Sequence, residues 1–220
     1  MKDLVLLAGW GFDQRVWQAV AAPLAARFRL HFDVDVPPPG AVVCGWSLGA
    51  MRALRWAELY PERVARIVLV GATPRFVRTS GWPAAQPAEL LDSFAAAVAA
   101  DPSGALRRFV ALLNQGDEQA RTLTRQMQAL VAAHRPDDAT LADGLEQLRD
   151  IDLREAVPRL RQPALVVHGE RDALMPLAAG RWLAEQLPNG RLTVVAGAAH
   201  APFIAQPERF ATLLAEFADE

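Results

Sequence analysis

The sequence predicts an α/β fold in which helices cover both faces of a mostly parallel sheet. Up to about Gly71, short apolar segments of strand length alternate with helical patterns, which is typical of parallel sheets. From about Thr73 to Arg161 the strand patterns disappear and only helical patterns remain, and the alternation resumes at Pro163. These observations predict a core formed by residues 1–72 and 162–220 and an α-helical cap formed by residues 73–161.

Each predicted strand is a short run of apolar residues bounded by turn-forming residues, as expected for buried strands. The predicted strands cover residues 4–7, 30–34, 41–44, 66–70, 164–168 and 192–195. Patterns with apolar residues three or four positions apart predict the helices. These cover residues 14–27, 50–60, 90–100, 105–114, 118–133, 141–148, 177–187 and 207–217.

Composition agrees with a compact soluble enzyme that has one core domain with an insertion. It has 220 residues, 52% of them hydrophobic, and a net charge of −2 with no basic run, so a nucleic-acid partner is not expected. The only cysteine, Cys44, excludes an internal disulfide and is expected to be a small buried hydrophobe. No apolar run reaches signal-peptide or transmembrane length, so we expect a cytoplasmic protein without membrane contact.

The most informative stretch is Gly45-Trp46-Ser47-Leu48-Gly49, which has the pattern G-x-S-x-G. Because a predicted strand precedes it and a predicted helix follows it, Ser47 falls at a sharp strand-to-helix turn. Such a turn is the nucleophile elbow of the α/β hydrolases. Glycines fit on both sides because a Cβ would clash where neighbouring chains pack closely. The motif therefore predicts an α/β-hydrolase fold with Ser47 as its nucleophile.

A base and an orienting acid are expected further along the chain, in the order Ser, Asp or Glu, His. Asp172 follows the predicted strand 164–168, and His200 follows the predicted strand 192–195. Both therefore lie past the carboxyl end of a strand, where open α/β sheets place their sites. We predict His200 as general base and then acid, and Asp172 as the group that orients its imidazole. Glu170, two residues before Asp172, is the alternative acid.

The same geometry predicts an oxyanion hole made of two main-chain N–H groups. One belongs to Leu48, the residue after the nucleophile, and the other to the loop that follows an earlier strand. That loop is Ala8-Gly9-Trp10-Gly11, and Trp10 is the candidate donor. A site of this kind works without a metal or an organic cofactor, and neither is expected.

Segments spread over nearly the whole chain resemble the pimeloyl-acyl-carrier-protein methyl ester carboxylesterases of biotin synthesis. They are GWSLG at 45–49, PERV at 61–64, PRF at 74–76, WP at 82–83, RF at 108–109, GLE at 144–146, DLR at 152–154 and AAHAPFI at 198–204. The resemblance implies an esterase that unmasks the distal carboxyl of a pimeloyl chain while the chain stays thioesterified to its carrier protein. It implies the triad Ser47, Asp172 and His200 and the oxyanion donors Trp10 and Leu48. These are the same five residues that the motif and the strand positions predict.

The resemblance further implies that cap arginines bind the acidic acyl carrier protein. Arg108, Arg121 and Arg125 fall on the matching positions, and a further family arginine falls near Gly104, so that contact is absent or supplied by Arg107. Arg121 and Arg125 lie four residues apart and hence on one helix face, and guanidinium groups suit carboxylate and phosphate partners. From composition alone, an ordinary solvated face is the alternative.

Three aromatic residues are expected to line an apolar channel for the acyl chain. They are Trp46, Phe76 and Phe109. Aromatic residues beneath a cap also serve as ordinary core residues, which is the alternative.

Two departures from the usual fold are expected. The chain starts at the strand that leads into the oxyanion loop, so the usual first strands are expected to be missing. Residues 35–41 alone join the second and third predicted strands, where family members have a helix, and their three prolines favour an extended connection. We therefore expect one missing crossover helix, an exposed apolar patch on that sheet face, and a monomer or a weak homodimer.

Other functions fit part of the sequence. A general short-chain carboxylesterase would share the triad and differ in the cap. A lactonase or a carbon–carbon bond hydrolase of the same fold would also share it, but the cap segments favour the esterase. A non-catalytic, hydrolase-like ligand receptor is disfavoured because the triad residues are all present.

Overall fold

The computed structural model describes residues 1–32 and 34–220, which form a six-stranded sheet. The strands are β1 (Lys2–Leu7), β2 (Phe28–His31), β3 (Ala41–Trp46), β4 (Val64–Val70), β5 (Ala164–Gly169) and β6 (Gly190–Val195). Their order across the sheet is β2-β1-β3-β4-β5-β6, and every neighbouring pair is parallel. The parallel α/β sheet predicted from the alternating pattern is therefore present.

Helices cover both faces of this sheet. They are α1 (Gln18–Ala25), α2 (Leu48–Leu59), α3 (Ala88–Ala100), α4 (Pro102–Leu113), α5 (Ala120–Ala133), α6 (Asp138–Asp150), α7 (Leu177–Gln186), α8 (Pro202–Ala205) and α9 (Pro207–Asp219). Because crossover connections between parallel strands are right-handed, α2 and α7 lie on one face and α1 on the other, where it packs against α9. Within the described ranges, none of these helices combines the length and the apolar character that crossing a bilayer requires.

A helical insertion separates β4 from β5. The described residues between these strands form α3, α4, α5 and α6 and add no strand to the sheet. The two ends of the insertion are bonded to each other, since the Leu153 N–H donates to the Pro74 carbonyl at 2.9 Å and Arg75 pairs with Asp152 at 3.1 Å. The insertion therefore leaves and rejoins the core through one narrow stem.

The apolar core runs without a break from the sheet into the insertion. β3 and β5 are buried along their whole length, as central strands of a covered parallel sheet should be. One hydrophobic cluster joins their side chains to Leu106 and Val110 of α4 and to Leu141 of α6. Apolar side chains of the insertion are thus buried against those of the sheet in one continuous core.

Several predicted boundaries differ from the structure, and two of the differences have a clear physical cause. The second strand occupies 28–31 where 30–34 was predicted, because its pairing with β1 extends only from Phe28 to His31; position 33 lies outside the described residues. The predicted helix 14–27 begins as a 3₁₀ turn, Gln14–Trp17, capped by the Asp13 side chain, which accepts from the Arg15 N–H. Only from position 18 onward does it become α-helical, with Pro23 inside it.

The short connection into β3 has no helix in its described residues, 34–40, as predicted. Its end is fixed by one main-chain and one side-chain hydrogen bond at the amino end of the strand. The Ala41 N–H donates to the Arg63 carbonyl at 2.9 Å, and Arg63 Nη1 donates to the Pro37 carbonyl at 3.1 Å. The chain thus returns to the start of β3 without a covering helix.

The exposed apolar patch predicted for this sheet face is wrong. The β1 side chains from Leu4 to Leu7 are at most 9% exposed, and β3 is buried throughout. A groove of about 470 Å³ remains beside α2, where Val34 and Trp56 meet the polar side chain of Arg52. The face is therefore indented but covered, because these partly buried side chains lie over the strands.

Helix α2 offers a matched pair of leucines to test how much its buried face stabilises the fold. Leu54 is 0% exposed, whereas Leu59 is 57% exposed. We expect Leu54→Ala to lower the free energy of unfolding by about 2–5 kcal/mol because it removes buried methyl groups and leaves a cavity. Leu59→Ala should change it by less than about 0.5 kcal/mol. Urea unfolding followed by circular dichroism measures both, and equal effects would contradict the packing described for α2.

Candidate active site

Ser47 lies at a strained turn between β3 and α2. Its backbone has φ 57° and ψ −120°, and it is the only non-glycine residue with positive φ in the described ranges. The Ser47 N–H donates to the Val70 carbonyl at 2.9 Å, which fixes the turn at the carboxyl ends of β3 and β4. This conformation is typical of a nucleophile elbow, which exposes the serine hydroxyl at the edge of the sheet.

The two glycines of the motif are required by close main-chain packing. A Cβ at Gly45 would lie far inside van der Waals contact with the Gly49 carbonyl oxygen. A Cβ at Gly49 would overlap in the same way with the Leu7 carbonyl oxygen of β1. Because both obstacles are backbone atoms, a side chain at either position would displace the elbow.

His200 and Asp172 form a buried pair at the same edge of the sheet. His200 Nδ1 lies 2.6 Å from Asp172 Oδ2, and both side chains are fully buried. Asp172 Oδ1 accepts from the N–H groups of Leu174 at 3.0 Å and Met175 at 2.8 Å. Burial opposes the charge of Asp172, but the His200 imidazole and the Met175 N–H hold the pKa of this carboxyl below its usual value. Asp172 is therefore an ionised acceptor.

The structure favours Asp172 over Glu170 as the partner of His200. The Glu170 side chain is exposed and accepts from the Gly197 N–H at 3.1 Å. With the His200 proton on Nδ1, towards Asp172, its Nε2 is left as an acceptor. This Nε2 is buried and has no hydrogen-bond partner among the described residues, so the bond from Ser47 to His200 is not formed.

The two predicted oxyanion donors, Leu48 and Trp10, lie beneath the helical insertion. No hydrogen-bond acceptor for either main-chain N–H is found within the described part of the chain. The Trp10 indole donates to the Leu141 carbonyl of α6 at 2.9 Å and packs edge-on against Phe109 at 4.9 Å. A Cβ at Gly144 would lie 2.6 Å from Trp10 Cδ1. Helix α6 therefore contacts the oxyanion loop directly, and Gly144 permits the close approach.

Three hydrogen bonds that the sequence did not predict hold the His200 loop. The Trp46 indole donates to the His200 carbonyl at 2.8 Å, and the His200 N–H donates to the Leu113 carbonyl at 3.2 Å. The Asp117 carboxylate accepts from the Ala199 N–H at 2.7 Å. Trp46 occupies a position of the G-x-S-x-G motif where any residue is allowed. Asp117 accepts a hydrogen bond from a residue 82 positions further along the chain. No local pattern could have identified either of them.

The predicted channel residues are buried, and two of them lie beside the site. The Trp46 ring centroid is 5.5 Å from that of His200, and Phe109 contacts Trp10. Phe76 is 7% exposed and belongs to the same core cluster. Their roles as a lining for substrate stay predictions.

The arginines predicted to bind the carrier protein lie on two adjacent helices. Arg108 is on α4 and Arg121 and Arg125 are on α5, which packs against α4, and all three side chains are exposed. None of them forms an ion pair with a described residue. A side chain at position 104 would displace the Asp101 carboxylate, which caps α4 by accepting the Gly104 N–H at 2.8 Å. Arg107 is exposed on the same helix.

The site is closed in this structure. Ser47 is 4% exposed and His200 is 0% exposed, with α4, α6 and the turn after α4 lying over them. Over the described ranges, no group of three or more His, Cys, Asp or Glu side chains is arranged to hold a metal ion.

Two buried tryptophans allow a test of the bond to the His200 carbonyl. We expect Trp46→Phe to lower kcat for a small soluble ester by about 2- to 12-fold, because a net hydrogen bond of about 0.5–1.5 kcal/mol that orients the His200 loop is lost. Trp82→Phe is the matched control, since its indole donates to the Arg75 carbonyl at 2.9 Å in the insertion. Steady-state kinetics should show an unchanged kcat for the control. A control that loses as much activity as Trp46→Phe would contradict this role.

Known proteins resemble this chain in both sequence and structure. The sequence model of the family described as alpha/beta hydrolase fold matches residues 5–207. A pimeloyl-[acyl-carrier protein] methyl ester esterase from Aromatoleum aromaticum is 41% identical, with 96% of each chain covered. A protein of the same name from Nitrosomonas europaea is 38% identical and is covered over 92% of its length by 94% of this chain.

Among solved structures, an esterase from Exiguobacterium antarcticum matches the whole chain and 92% of its own with a TM-score of 0.89. At 19% identity this likeness establishes the fold alone. The alignment with the Aromatoleum aromaticum relative spans 242 positions, more than the 220 residues of this chain, so that relative has residues without a counterpart here. The fold, the sequence match over nearly its full length and the names of its relatives agree: the chain belongs to the alpha/beta hydrolase fold family and, within it, to the pimeloyl-[acyl-carrier protein] methyl ester esterases.

Proposed function

We propose that this protein is a serine esterase that hydrolyses the methyl ester of a pimeloyl chain carried on acyl carrier protein, a step of biotin synthesis. The products are methanol and the free carboxylate, still attached to the carrier. The observation that carries the proposal is the buried Asp172–His200 pair at the same sheet edge as the strained Ser47. The names of relatives that match nearly the whole chain support the substrate.

In the first half of the proposed reaction, Ser47 Oγ attacks the carbonyl carbon of the methyl ester. His200 Nε2 accepts the serine proton, and Asp172 stabilises the imidazolium that forms. The carbonyl oxygen becomes an oxyanion, which accepts hydrogen bonds from the main-chain N–H groups of Leu48 and Trp10. When the tetrahedral intermediate collapses, the bond to the methoxy oxygen breaks, and His200 gives its proton to that oxygen to release methanol.

In the second half, water hydrolyses the acyl-enzyme. His200 Nε2 takes a proton from the water as its oxygen attacks the acyl carbon, and the same donors stabilise the second oxyanion. Collapse breaks the bond to Ser47 Oγ, which recovers its proton from His200. The free acid then ionises in water.

Substrate reaches Ser47 only when the helices above it move. The contacts that would have to open include the bond from Trp10 to Leu141 and the bond from His200 to Leu113. Both involve residues that serve the reaction, so opening the cap also loosens the site. Closure over a bound acyl chain would restore these bonds and exclude water.

The exposed arginines support a carrier-protein partner. Arg108, Arg121 and Arg125 add positive charge to two adjacent helices of the insertion, and Arg107 adds a further exposed charge on α4. Planar guanidinium groups bind carboxylates in a bidentate manner, which suits an acidic carrier protein. The insertion would thus bind the carrier while the acyl chain reaches the core.

Replacing the carboxylate tests the proposed acid. We expect Asp172→Asn to lower kcat by about 10⁴-fold, because an amide stabilises the wrong imidazole tautomer and does not support an imidazolium. Glu170→Gln should keep wild-type kcat, since among the described residues that side chain accepts only from the Gly197 N–H, and a glutamine oxygen can accept the same bond. Ser47→Ala serves as the inactive reference. Full activity of Asp172→Asn, or loss in Glu170→Gln instead, would show that the acid is misassigned.

A charge-reversal pair tests the carrier surface. Arg121→Glu/Arg125→Glu should raise KM for pimeloyl-carrier protein methyl ester at least tenfold while leaving hydrolysis of a small soluble methyl ester unchanged. The control Arg55→Glu/Arg181→Glu makes the same change in net charge at two exposed arginines on α2 and α7. Carrier turnover that falls equally in both double variants would indicate a general electrostatic effect. A wild-type enzyme that cleaves the small ester and ignores the carrier substrate would leave only a general esterase.

A further inference from the structure

A second histidine lies against the catalytic carboxylate. His168 is on β5, four residues before Asp172, and its side chain is fully buried. Its Nε2 is 2.7 Å from the Met175 carbonyl oxygen and 3.5 Å from Asp172 Oδ2. The reaction proposed above does not use this imidazole, yet it occupies the space directly behind the acid.

The hydrogen-bond partner determines which nitrogen of His168 carries the proton. A carbonyl oxygen only accepts, so Nε2 must be the donor to Met175. Burial lowers the pKa of His168, although the charge of Asp172 has the opposite effect. The lowered pKa keeps the His168 ring neutral. Asp172 and His200 are the charged or titratable groups that face it. Its Nδ1 has no partner among the described residues, and Gly180 of α7 lies so close that a Cβ there would be 2.5 Å from it.

Met175 links this histidine to the acid. The Met175 N–H donates to Asp172 Oδ1 at 2.8 Å, while the Met175 carbonyl accepts from His168. The Leu174 N–H donates to the same carboxylate oxygen at 3.0 Å. The turn that holds Asp172 is therefore tied to β5 by the His168 side chain.

We propose that His168 is a positioning residue of the triad, which orients Asp172 by fixing the turn that contains Met175. The inference rests on the proposed function of Asp172 and His200. His168 touches neither the substrate nor the reacting atoms, and it acts through the carboxylate that orients the base. Without the His168 N–H, the turn that contains Met175 would be less fixed, and the Asp172 carboxylate would be held less firmly. The His200 imidazole would then be less well oriented during proton transfer. The surfaces that bind substrate would not change.

Two substitutions separate this role from simple filling of space. His168→Leu removes the N–H, whereas His168→Gln can place an amide N–H close to the position of Nε2. For a small soluble methyl ester we expect the leucine variant to lose about 10- to 100-fold in kcat, because small misplacements of catalytic groups have effects of this size. Its KM should stay within about twofold of wild type. The glutamine variant should recover most of the lost kcat.

A second readout reports on the acid–base pair itself. The proton between His200 Nδ1 and Asp172 gives a far-downfield proton NMR signal when the bond is short and ordered. This signal should weaken or disappear in His168→Leu and persist in His168→Gln. It does not depend on turnover, so it detects loosening of the pair even where stability also falls.

Gln162→Leu is the matched control for the loss of one buried hydrogen bond. The Gln162 Nε2 donates to the Ala57 carbonyl at 2.9 Å, and its Oε1 has no partner among the described residues, as for His168 Nδ1. We expect this variant to lose stability and keep wild-type kcat. A kcat loss equal to that of His168→Leu would overturn the proposed positioning role.

The triad references make failure of this inference distinct from failure of the proposed function. If Ser47→Ala and Asp172→Asn stay active, the triad itself is misassigned. If they are inactive while His168→Leu is folded with wild-type kcat, the positioning role alone is overturned. If His168→Leu does not fold, His168→Gln is the deciding variant. A downfield proton signal and a kcat that are both retained in His168→Gln support the positioning role. Loss of either the signal or the kcat in that variant overturns it.

Discussion

At Ser47 the backbone adopts a conformation that costs a non-glycine residue about 1–3 kcal/mol, and the surrounding chain holds it there. β3 pairs with β1 on one side and β4 on the other, so the strand that ends at the elbow cannot shift. The Val70 carbonyl accepts the Ser47 N–H, and the glycines at 45 and 49 let the first turn of α2 approach β1. The position of the Leu48 N–H follows from the same turn. The proposed nucleophile and the proposed oxyanion donor thus depend on one constraint.

The remaining site residues depend on contacts between the core and the helical insertion. Trp10, His200 and the residue before His200 each bond to groups contributed by α4, α6 or the turn after α4. The insertion leaves and rejoins the core through one stem, where the Leu153 N–H donates to the Pro74 carbonyl. Access of substrate and the order of the catalytic groups are consequently coupled.

The parts of the fold and site that could be predicted are those with local patterns. Ser47, Asp172 and His200 each follow a strand whose apolar run is visible in the sequence, and the order of the three residues restricts the fold. The extent of β2 could not be predicted, since it depends on pairing with β1 and not on its own residues. Asp117 contacts a residue 82 positions away, and a histidine such as His168 is compatible with any buried strand.

The missing crossover helix shows which parts of this fold carry chemistry. A right-handed connection from β2 to β3 passes over the face covered by α2 and re-enters the sheet at Ala41, at the end of β3 opposite the elbow. A helix in that connection would therefore cover the strands and contribute no group to the site. In the absence of such a helix, Val34 and Trp56 lie over the strands and leave a groove. The carboxyl ends of β1, β3 and β4 keep their register. Because pairing on both sides of β3 holds the elbow, shortening the crossover does not displace Ser47.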